Sequence, residues 1–471
     1  MEVEQLLCSI DGTLKDALEA INRGKKGTTF IVNERRELQG VIVDGDIRRL
    51  LLSGKTLSDK IQENLNPQYV YMTEKDDAIE IIEKFSSKIR IIPIVNESNQ
   101  VVNYYEYNKR ISIPVSKPEL KGNEFKYLTD AFLSTWVSST GKYIDMFEEN
   151  FAHYCGVKYG VAVSNGTAAL HLALLALGIR AGDEVIVPDI TFAATINAVL
   201  YVGATPVIVD IEKDSWCINP DEIEKAITPK TKAVIPVHIY GQPCNMKKIM
   251  HIANKYNLFV IEDCAEAHGA AFEQRLVGSF GDISCFSFFG NKVITTGEGG
   301  MCLTDSEELN NRIRLLKDHG MSKERKYYHE IIGYNYRMTN LQAAIGMAQL
   351  EKIDVMLEKR NELEEMYRTI LGSIPFIEFQ YILEDRQKIA WLVTVLVPEH
   401  MREICMKELK RAGIDVRPFF IPLSEMEIYR EYVFSNQNSV ELSKQGFSLP
   451  TSLDITSEDI LRMKEVLAKL I

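Results

Sequence analysis

One lysine, Lys292, stands between an apolar run and a glycine-rich turn in the segment CFSFFGNKVITTGEGGM, residues 285 to 301. The preceding run, ISCFSFF, is typical of a buried strand. Burial disfavours an ammonium ion and favours the neutral amine, which is the nucleophile that a Schiff-base lysine needs. Most lysines are solvated, however, and the local sequence alone favours that ordinary interpretation. A chemical role for Lys292 therefore depends on residues elsewhere in the chain.

A pair of carboxylates follows another apolar strand in the segment VIEDCAEAHGA. Glu262 and Asp263 stand at the strand end, where open α/β sheets bind their ligands. A carboxylate at this point can pair with a protonated pyridine nitrogen and keep the ring electron-withdrawing. An aspartate that caps a helix would give the same pattern, so both interpretations stand until Lys292 is considered with it.

Three further segments offer contacts for a phosphate and a flat ring. In VSNGTAALHLALLAL, Gly166 and Thr167 begin a helix, whose free N–H groups favour an anion. Ser287, five residues before Lys292, can donate its hydroxyl to the same phosphate, and Phe192 in PDITFAATINAV offers a ring for stacking. The alternatives are a capped turn, a serine bonded to the backbone and a core phenylalanine. Together with Lys292, the set contains the parts of a pyridoxal phosphate site.

Alternating strands and helices should position these residues. Strand candidates begin at Tyr159, Glu184, Thr205, Lys232, Leu258, Asp282 and Gly300. Helical stretches separate the earlier strands, which predicts an α/β domain with a mostly parallel seven-stranded sheet. We assign this large domain to residues 113–353. After it, a charged helical stretch, the run IAWLVTVLV and a second helix predict a small α+β domain over residues 354–471.

Residues 1–112 carry a weak internal repeat. Its halves are TTFIVNERRELQGVIVDGDIRRLL from Thr28 and IRIIPIVNESNQVVNYYEYNKR from Ile89. An amphipathic helical pattern precedes each half, from Leu14 and from Asp77. The proline-containing segment ISIPVSKPELKGNE then breaks the periodicity and is interpreted as a linker.

The repeat resembles a tandem pair of CBS motifs, which implies a cleft for an adenine nucleotide. The CBS pattern Gly-x-x-Thr-x-x-Asp is incomplete here, since Gly40 and Asp46 flank Val43 where the threonine belongs. The second repeat has Asn103 and Lys109 at the equivalent positions. Nucleotide binding near Asp46 and a purely architectural or dimerising role remain alternatives.

Composition excludes several other classes of function. The net charge of -12, with no basic run, argues against a general grip on nucleic acid. The amino terminus lacks a signal-peptide pattern and no apolar run is long enough to span a bilayer, so we expect a soluble, cytoplasmic protein with no membrane partner. The eight cysteines contain no CxxC pair and predict buried reduced thiols, with no metal site.

The ordered motifs from residue 113 to residue 471 resemble the DegT/DnrJ/EryC1/StrS family of sugar aminotransferases, which have the fold-type I architecture of pyridoxal phosphate enzymes. The most specific matches are WVSSTGKYI, SNGTAALHLAL, TFAATINAV, HIYGQPCNM, IEDCAEAHGA, SFFGNKVITTGEGG, GYNYRMTNLQAAIG and DVRPFF. Some members carry histidine in place of the lysine and remove a hydroxyl. Because this chain keeps Lys292, transamination is the expected reaction.

The resemblance implies a role for each matching residue. Lys292 would bind the cofactor covalently and move protons, Asp263 would bind the pyridine nitrogen, and Glu266 would lie near the ring hydroxyl. Phe192 would stack on the ring. The phosphate would be held by Gly166, Thr167, Ser287 and, from the partner subunit of a homodimer, Asn335. A turn asparagine is the plain alternative for that last residue.

The runs FSFFGNK and KYYHEIIGYNYRMTN are especially similar to perosamine synthases. This implies amination at C4 of GDP-4-keto-6-deoxymannose with glutamate as the donor, for surface polysaccharide. His329 and Arg417 are candidates for the substrate side, against a surface histidine and a structural salt bridge. The alternatives are an aminotransferase for a UDP-linked 4-keto-6-deoxy-N-acetyl-hexosamine and a CBS-regulated sensor with reduced turnover.

Overall fold

The computed structural model describes residues 3–66, 68–76, 89–106 and 113–470. The chain divides into two compact units, Met1–Arg110 and Ile111–Ile471. Each unit has hydrophobic clusters of its own. The division falls within two residues of the predicted end of the amino-terminal domain at residue 112.

The first unit contains two small sheets of the same design. The first sheet joins β1 (Leu7–Ser9), β2 (Thr28–Val32) and β3 (Leu38–Val43), and the second joins β4 (Met72–Thr73), β5 (Ile91–Val95) and β6 (Val101–Glu106). In each sheet the first pair of strands is parallel and the second pair is antiparallel. The internal repeat seen in the sequence is therefore present in the strand topology.

Two helices, Leu14–Gly24 and Asp44–Leu52, accompany the first sheet. The first begins with a capping box between Thr13 and Asp16, which satisfies N–H groups that the helix start would leave unpaired. Four apolar side chains on one face of this helix are buried, as its amphipathic pattern predicts. The second predicted helix, from Asp77, and the predicted position Lys109 lie outside the described residues.

The second unit is built on a seven-stranded sheet. Its strands are β7 (Tyr159–Val163), β8 (Glu184–Pro188), β9 (Thr205–Val209), β10 (Thr231–Val234), β11 (Phe259–Asp263), β14 (Ile283–Ser287) and β15 (Gly300–Thr304). They lie in the order β7-β15-β14-β11-β10-β8-β9. Only β15 is antiparallel to its neighbours, so the predicted mostly parallel sheet is confirmed. Each strand begins within one residue of the predicted position.

Twelve helices surround this sheet and the small sheet described next, counted over the described part of the unit. They are Glu124–Leu133, Lys142–Cys155, Gly166–Ala176, Ala194–Tyr201, Pro220–Ala226, Met246–Tyr256, Glu307–Lys317, Asn340–Leu350, Ile353–Leu371, Glu399–Arg411, Gln437–Ser443 and Ser457–Ala468. The helix Gly166–Ala176 is buried on most of its surface because it packs on β14 and β15 and beneath other helices. Its nearly continuous apolar sequence follows from that position. None of the helices in the described residues is long and apolar enough to cross a bilayer.

A separate antiparallel sheet closes the chain. It joins β16 (Glu378–Phe379), β18 (Val393–Leu396), β20 (Gly446–Leu449) and β19 (Arg417–Pro418). Three further two-residue strands, β12 (Ala271–Phe272), β13 (Arg275–Leu276) and β17 (Arg386–Gln387), form a small sheet beside it. The carboxyl-terminal segment therefore has the mixed α and β content expected of it, while its boundary at residue 354 stays a prediction.

The segment that enters the second unit pairs with the carboxyl-terminal part of the chain. Ile113 forms a parallel bridge with Ile414, and the N–H of Thr451 donates to the carbonyl of Val115 over 2.8 Å. Ile113 also belongs to the hydrophobic cluster of the small sheet. Residues 113–115 thus pack with the small domain, although the sequence places them at the start of the large one.

Candidate active site

Strand topology brings three predicted site segments to one edge of the sheet. Asp263 ends β11, Ser287 ends the adjacent parallel strand β14, and Val163 ends β7 just before the helix that starts at Gly166. Gly300 at the start of β15 lies opposite both Ser287 and Val163. The antiparallel direction of β15 therefore keeps the carboxyl ends of β7 and β14 together.

The start of the helix Gly166–Ala176 approaches Ser287 closely. A Cβ on Gly166 would lie 2.9 Å from the Cβ of Ser287, and one on Gly300 would lie 2.5 Å from the carbonyl carbon of Asn165. Glycine is required at both positions because any side chain would displace backbone or strand. The result is a narrow cradle of backbone beside the serine hydroxyl.

The helix start in this cradle is capped by Asn165, whose side chain accepts from the N–H of Ala168 over 2.8 Å. The predicted turn is therefore capped by Asn165, and the hydroxyl of Thr167 has no part in the cap. The N–H groups of Gly166 and Thr167 belong to the first turn, which has no intrahelical acceptors for them. Together with Ser287 they would suit a bound anion.

Asp263 is buried and held by two hydrogen bonds. The hydroxyl of Thr195 donates to Oδ2 over 2.9 Å, and the N–H of Ala265 donates to Oδ1 over 3.1 Å. Burial raises the pKa of Asp263, while these two donors lower it. The carboxylate therefore faces the sheet edge with a fixed orientation, and it suits a cationic ring nitrogen better than it suits solvent.

Phe192 lies in the loop between β8 and the helix Ala194–Tyr201. Its carbonyl accepts from the N–H of Thr195, the residue that also binds Asp263. The Phe192 side chain is 64% exposed, so the alternative of core packing is wrong. An exposed aromatic ring next to the Asp263 loop is available for stacking on a ligand.

Lys292 is buried, which contradicts the interpretation as a solvated loop lysine. Its side chain is 12% exposed, and Nζ lies 4.0 Å from Oε1 of Glu266. Burial lowers the pKa of Lys292, against the opposing effect of Glu266 and Asp263. Burial also raises the pKa of Glu266 to about 7. The N–H of Tyr240 donates to the other oxygen of Glu266 over 2.9 Å and fixes its orientation.

The sequence analysis missed Trp391, which contacts the lysine directly. Nζ of Lys292 lies 4.1 Å from the centre of the Trp391 ring, and the indole N–H donates to the carbonyl of Asn291 over 2.9 Å. Trp391 comes from the run IAWLVTVLV, where its apolar neighbours suggest only a strand. The sole signal in the sequence is the tryptophan itself, because an indole N–H that becomes buried needs a hydrogen-bond partner.

Glu262, the other carboxylate of the pair, serves the fold. Its oxygens accept from the N–H groups of Gly278, Phe280 and Gly281 over 2.7 to 2.8 Å, and Oε2 lies 3.2 Å from Nε2 of His238. Glu262, His238 and Cys264 lie close enough together to be possible ligands of a metal ion. Hydrogen bonds within the chain account for the carboxylate, so we assign it a structural role.

Asn335 lies at the surface between two tyrosines that fix its segment. Tyr334 and Tyr336 stack with ring centres 5.0 Å apart, and the hydroxyl of Tyr336 lies 3.3 Å from Nδ1 of the buried His171. Nε of Arg337 donates to Oδ1 of Asn335 over 3.1 Å. The amide is thereby oriented, and its NH2 group is the end that can donate to an anion.

His329 and Arg417 are both exposed. Nδ1 of His329 lies 2.8 Å from the carbonyl of His319, and Arg417 forms an ion pair with Asp415 at 3.1 Å. Within the described residues, no hydrogen bond or ion pair joins either of them to Lys292. A single subunit therefore shows Glu266 and Asp263 acting on Lys292, while the substrate role of His329 and Arg417 stays a prediction.

Comparisons with known proteins show the family of this chain. A model of the DegT/DnrJ/EryC1/StrS aminotransferase family matches residues 118–468. The chain belongs to the DegT/DnrJ/EryC1/StrS aminotransferase family. Relatives include the GDP-perosamine synthases of Escherichia coli O157:H7, 45% identical over 75% of this chain and 97% of the relative, and of Caulobacter vibrioides, 44% identical over 74% and 96%.

Solved structures of sugar aminotransferases also resemble this family member. The S. venezuelae DesV structure, in complex with a ketimine intermediate, has a TM-score of 0.70 and 32% identity, covering 74% of this chain and 94% of the other. The PLP-form of the putative sugar aminotransferase Spr1654 from Streptococcus pneumoniae has a TM-score of 0.72 and 27% identity, covering 76% and 99%. The fold-type I architecture is therefore confirmed.

The cofactor of this aminotransferase is pyridoxal phosphate, and the site fits its parts. A Cβ at residue 166 would lie 2.9 Å from the Cβ of Ser287, so the glycine keeps the cradle open beside the serine hydroxyl. The buried carboxylate of Asp263 would bind the pyridine nitrogen, and Lys292 would supply the amine. The chemistry of this donor set matches the phosphate, the ring nitrogen and the aldehyde of the cofactor.

Proposed function

We propose that this enzyme transfers the amino group of glutamate to C4 of GDP-4-keto-6-deoxymannose, in the synthesis of a surface polysaccharide. The supporting observation is that a buried Lys292 beside Glu266 lies in a chain 43 to 45% identical to three GDP-perosamine synthases over at least 94% of their length. Identity at this level, spread over nearly the whole relative, favours a shared substrate class over a shared fold alone.

The residues of the site divide the work of transamination. Pyridoxal phosphate supplies an electron sink for the carbon that loses or gains a proton. Asp263 holds the ring nitrogen in its protonated form, because a buried carboxylate is stabilised by a cation at hydrogen-bond distance. Lys292, with a pKa lowered by burial, takes a proton from the donor carbon in one half reaction and delivers a proton to the sugar carbon in the other. Glu266 accepts or donates a hydrogen bond next to it, with a pKa near neutrality.

The active site is completed by a second copy of the chain in this proposal. The segment that carries Asn335 exposes large apolar side chains, among them Ile332, which is 90% exposed. Such surface is normally covered in an assembly. Asn335 would then donate its amide NH2 to the phosphate held by Gly166 and Ser287 of the other subunit. His329 and Arg417 remain the candidates for the sugar nucleotide or the donor carboxylate.

A paired substrate assay tests this function. Purified enzyme with pyridoxal phosphate and glutamate is offered the GDP-linked ketosugar and, separately, a UDP-linked 4-keto-6-deoxy-N-acetyl-hexosamine, and the amino sugar is measured by mass spectrometry. We expect turnover of the GDP sugar and at most slow turnover of the UDP sugar. The reverse preference would replace our substrate with the UDP-linked one. Turnover of neither sugar would refute the proposed activity.

For the first unit, we propose that its tandem repeat is a CBS pair that binds an adenine nucleotide and regulates the enzyme. A cavity of about 430 Å³ supports this proposal, since segments from both repeats line it, including Val43, Tyr69 and the cations Lys26 and Arg90. Asp46 accepts from the N–H of Val43 over 2.9 Å and so serves the start of its helix. Contacts with the nucleotide phosphates would therefore come from Lys26 and Arg90.

Calorimetric titration of AMP, ADP and ATP into the full-length enzyme tests the regulatory site. We expect saturable heat with at least one nucleotide and loss of that heat in Arg90→Ala, with aminotransferase turnover measured in parallel. Arg35→Ala, another exposed arginine of the same unit, is the matched control. No heat at millimolar nucleotide would leave the first unit with an architectural role only.

We also propose a cytoplasmic location. All eight cysteines are free and buried, which suits a reducing compartment. A nucleotide-linked sugar and glutamate are both available there. Fractionation of cells that express the tagged enzyme, with the activity recovered in a compartment other than the cytoplasm, would contradict this assignment.

A further inference from the structure

The amine of Lys292 is held between two groups. On one side Nζ lies 4.0 Å from a carboxylate oxygen of Glu266, and on the other it lies 4.1 Å from the centre of the Trp391 ring. The indole N–H of Trp391 donates to the carbonyl of Asn291, the residue before the lysine, over 2.9 Å. One tryptophan side chain therefore contacts both the backbone of the lysine turn and the reactive end of the lysine.

Trp391 is itself fixed by contacts that do not involve the lysine. Its carbonyl accepts from Nη1 of Arg360 over 3.1 Å and from the hydroxyl of Thr451 over 2.9 Å. Arg360 is buried and also donates to the carbonyl of Ala390. A buried guanidinium and a buried hydroxyl that bind the same carbonyl leave the tryptophan little freedom to move.

Tyr240 connects the two sides of this arrangement. Its ring stacks on that of Trp391, with centres 6.1 Å apart and planes 15° apart, and its N–H donates to Glu266 over 2.9 Å. Its hydroxyl accepts from the N–H of Phe420 over 3.0 Å. Tyr240 has a φ of 51°, a conformation that non-glycine residues rarely adopt. This strained residue sets the separation between the carboxylate and the ring that face Lys292.

We propose that Trp391 is a positioning residue whose ring face holds the ammonium form of Lys292 whenever its amine is not bonded to the cofactor. The proposal rests on the proposed function, in which Lys292 carries protons between two carbons. The face of an indole ring is electron-rich and attracts a cation, whereas a neutral amine gains little from it. The ring therefore stabilises the amine in the interval after it takes a proton and before it delivers that proton.

Other influences on the charge of the Lys292 amine act in opposite directions. Glu266 and Asp263 favour the ammonium ion, and burial disfavours it. His268, also buried, has its pKa lowered to about 3 by burial and by Lys292, so it stays neutral and adds no charge. Trp391 thus supplements two carboxylates with an attraction that does not itself titrate.

Fluorinated tryptophan tests the proposal without disturbing the packing. Fluorine on the indole weakens the attraction for a cation while nearly keeping the shape of the ring. The pKa of Lys292 is measured in the cofactor-free, full-length protein from the pH dependence of trace acetylation of the peptide that contains it. We expect this pKa to fall stepwise as fluorine is added, with a total fall of about one for the most fluorinated ring. Unchanged reactivity of Lys292 across the series would overturn the proposal.

Two substitutions separate the ring face from the N–H group. Trp391→Phe keeps an aromatic face and loses the hydrogen bond to Asn291, whereas Trp391→Met loses both. We expect a lower Lys292 pKa in W391M than in W391F, and a kcat that falls at least tenfold in W391M with little change in either KM. Equal pKa values in the two variants would overturn the proposal. Trp136→Phe, at an exposed tryptophan with no part in this arrangement, is the control and should leave the Lys292 pKa unchanged.

The labelling measurement distinguishes failure of this proposal from failure of the proposed function. It needs neither a sugar substrate nor turnover, so a wrong sugar assignment leaves it unaffected. Conversely, an active GDP-sugar aminotransferase whose Lys292 pKa does not respond to ring fluorination would refute the role of Trp391 alone.

Discussion

The hydroxyl of Thr195 donates to Oδ2 of Asp263 over 2.9 Å, and it also lies 2.7 Å from the hydroxyl of Thr191. Thr191, in the loop after β8, and Thr195, in the first turn of the helix that follows, therefore support this carboxylate. Neither was predicted from the sequence, because a threonine after a strand end has many ordinary uses. The Thr195 hydroxyl is, after the N–H of Ala265, the second hydrogen-bond donor that lowers the pKa of Asp263 against the effect of burial.

Removal of this hydroxyl should weaken catalysis through Asp263. In Thr195→Val the pKa of Asp263 rises further, so the acid limb of the kcat profile should move to higher pH. A hydrogen bond to a charged group is worth about 1.5–3 kcal/mol, which corresponds to a fall in kcat of roughly 10- to 100-fold. Thr195→Ser keeps the hydroxyl and is the control. A profile that does not move in the valine variant would contradict this role for Thr195.

The raised pKa of Glu266 should appear in the pH dependence of stability. Below its ordinary value of 4.5 the group is protonated in both the folded and unfolded states. Between 4.5 and about 7 the unfolded chain releases the proton and the folded chain keeps it, so the free energy of unfolding falls as pH rises through this window. Glu266→Gln cannot titrate and should not show this fall.

Urea denaturation of the cofactor-free protein at several pH values measures the difference between wild type and Glu266→Gln. The surface substitution Glu365→Gln on the helix Ile353–Leu371 is the control. We expect the wild type to lose stability relative to Glu266→Gln as pH rises from 4.5 to 7. Parallel pH profiles for the two proteins would show that the pKa of Glu266 is not raised.

A mixed dimer tests whether Asn335 acts on the site of the other subunit. Lys292→Ala and Asn335→Ala should each be nearly inactive as pure proteins. If Asn335 reaches across the interface, a heterodimer of the two variants contains one intact site, made of the unaltered Lys292 of one subunit and the unaltered Asn335 of the other. Subunit exchange should therefore restore activity, which is measured as turnover after mixing, refolding and tag-based purification of the heterodimer. Absence of restored activity in a verified heterodimer would place Asn335 in its own subunit's site.

Arg417 should affect substrate affinity more than turnover. Its side chain is 57% exposed and pairs with Asp415, so its removal costs the fold little. If its guanidinium binds a carboxylate or diphosphate, Arg417→Ala should raise one KM by roughly 10- to 100-fold and change kcat little. Arg411→Ala removes a comparable exposed arginine, paired with Glu408, and should change neither constant. An unchanged KM for both substrates in Arg417→Ala would leave only the salt bridge.

The sequence predicted the residues that lie at strand ends and missed those that reach them from elsewhere. Asp263 and Ser287 stand at the ends of apolar strands, so their place at the sheet edge follows from topology. Trp391 comes from a segment a hundred residues later, and its orientation depends on Arg360 and Thr451. Contacts of that kind are set by the packing of distant elements, and no local pattern records them.

Two glycines near the start of β15 are required for different reasons. Gly297, in the turn before β15, has a positive φ of 85°, which glycine adopts without strain. Gly300 is required for a different reason, since its hydrogen faces the carbonyl of Asn165. The sequence shows that a glycine is present, while only the three-dimensional structure shows which neighbour excludes a side chain.

The bridge between Ile113 and Ile414 determines how mechanical load along the polypeptide enters the catalytic unit. Tension applied at Ile113 would first be borne by the hydrogen bonds of Ile113 with Gly413 and Asp415, and then by that of Val115 with Thr451. The side chains of Thr451 and Arg360 both donate hydrogen bonds to the carbonyl of Trp391. Such tension would therefore reach Thr451 and Trp391, which support the reactive lysine, before it reaches the large sheet.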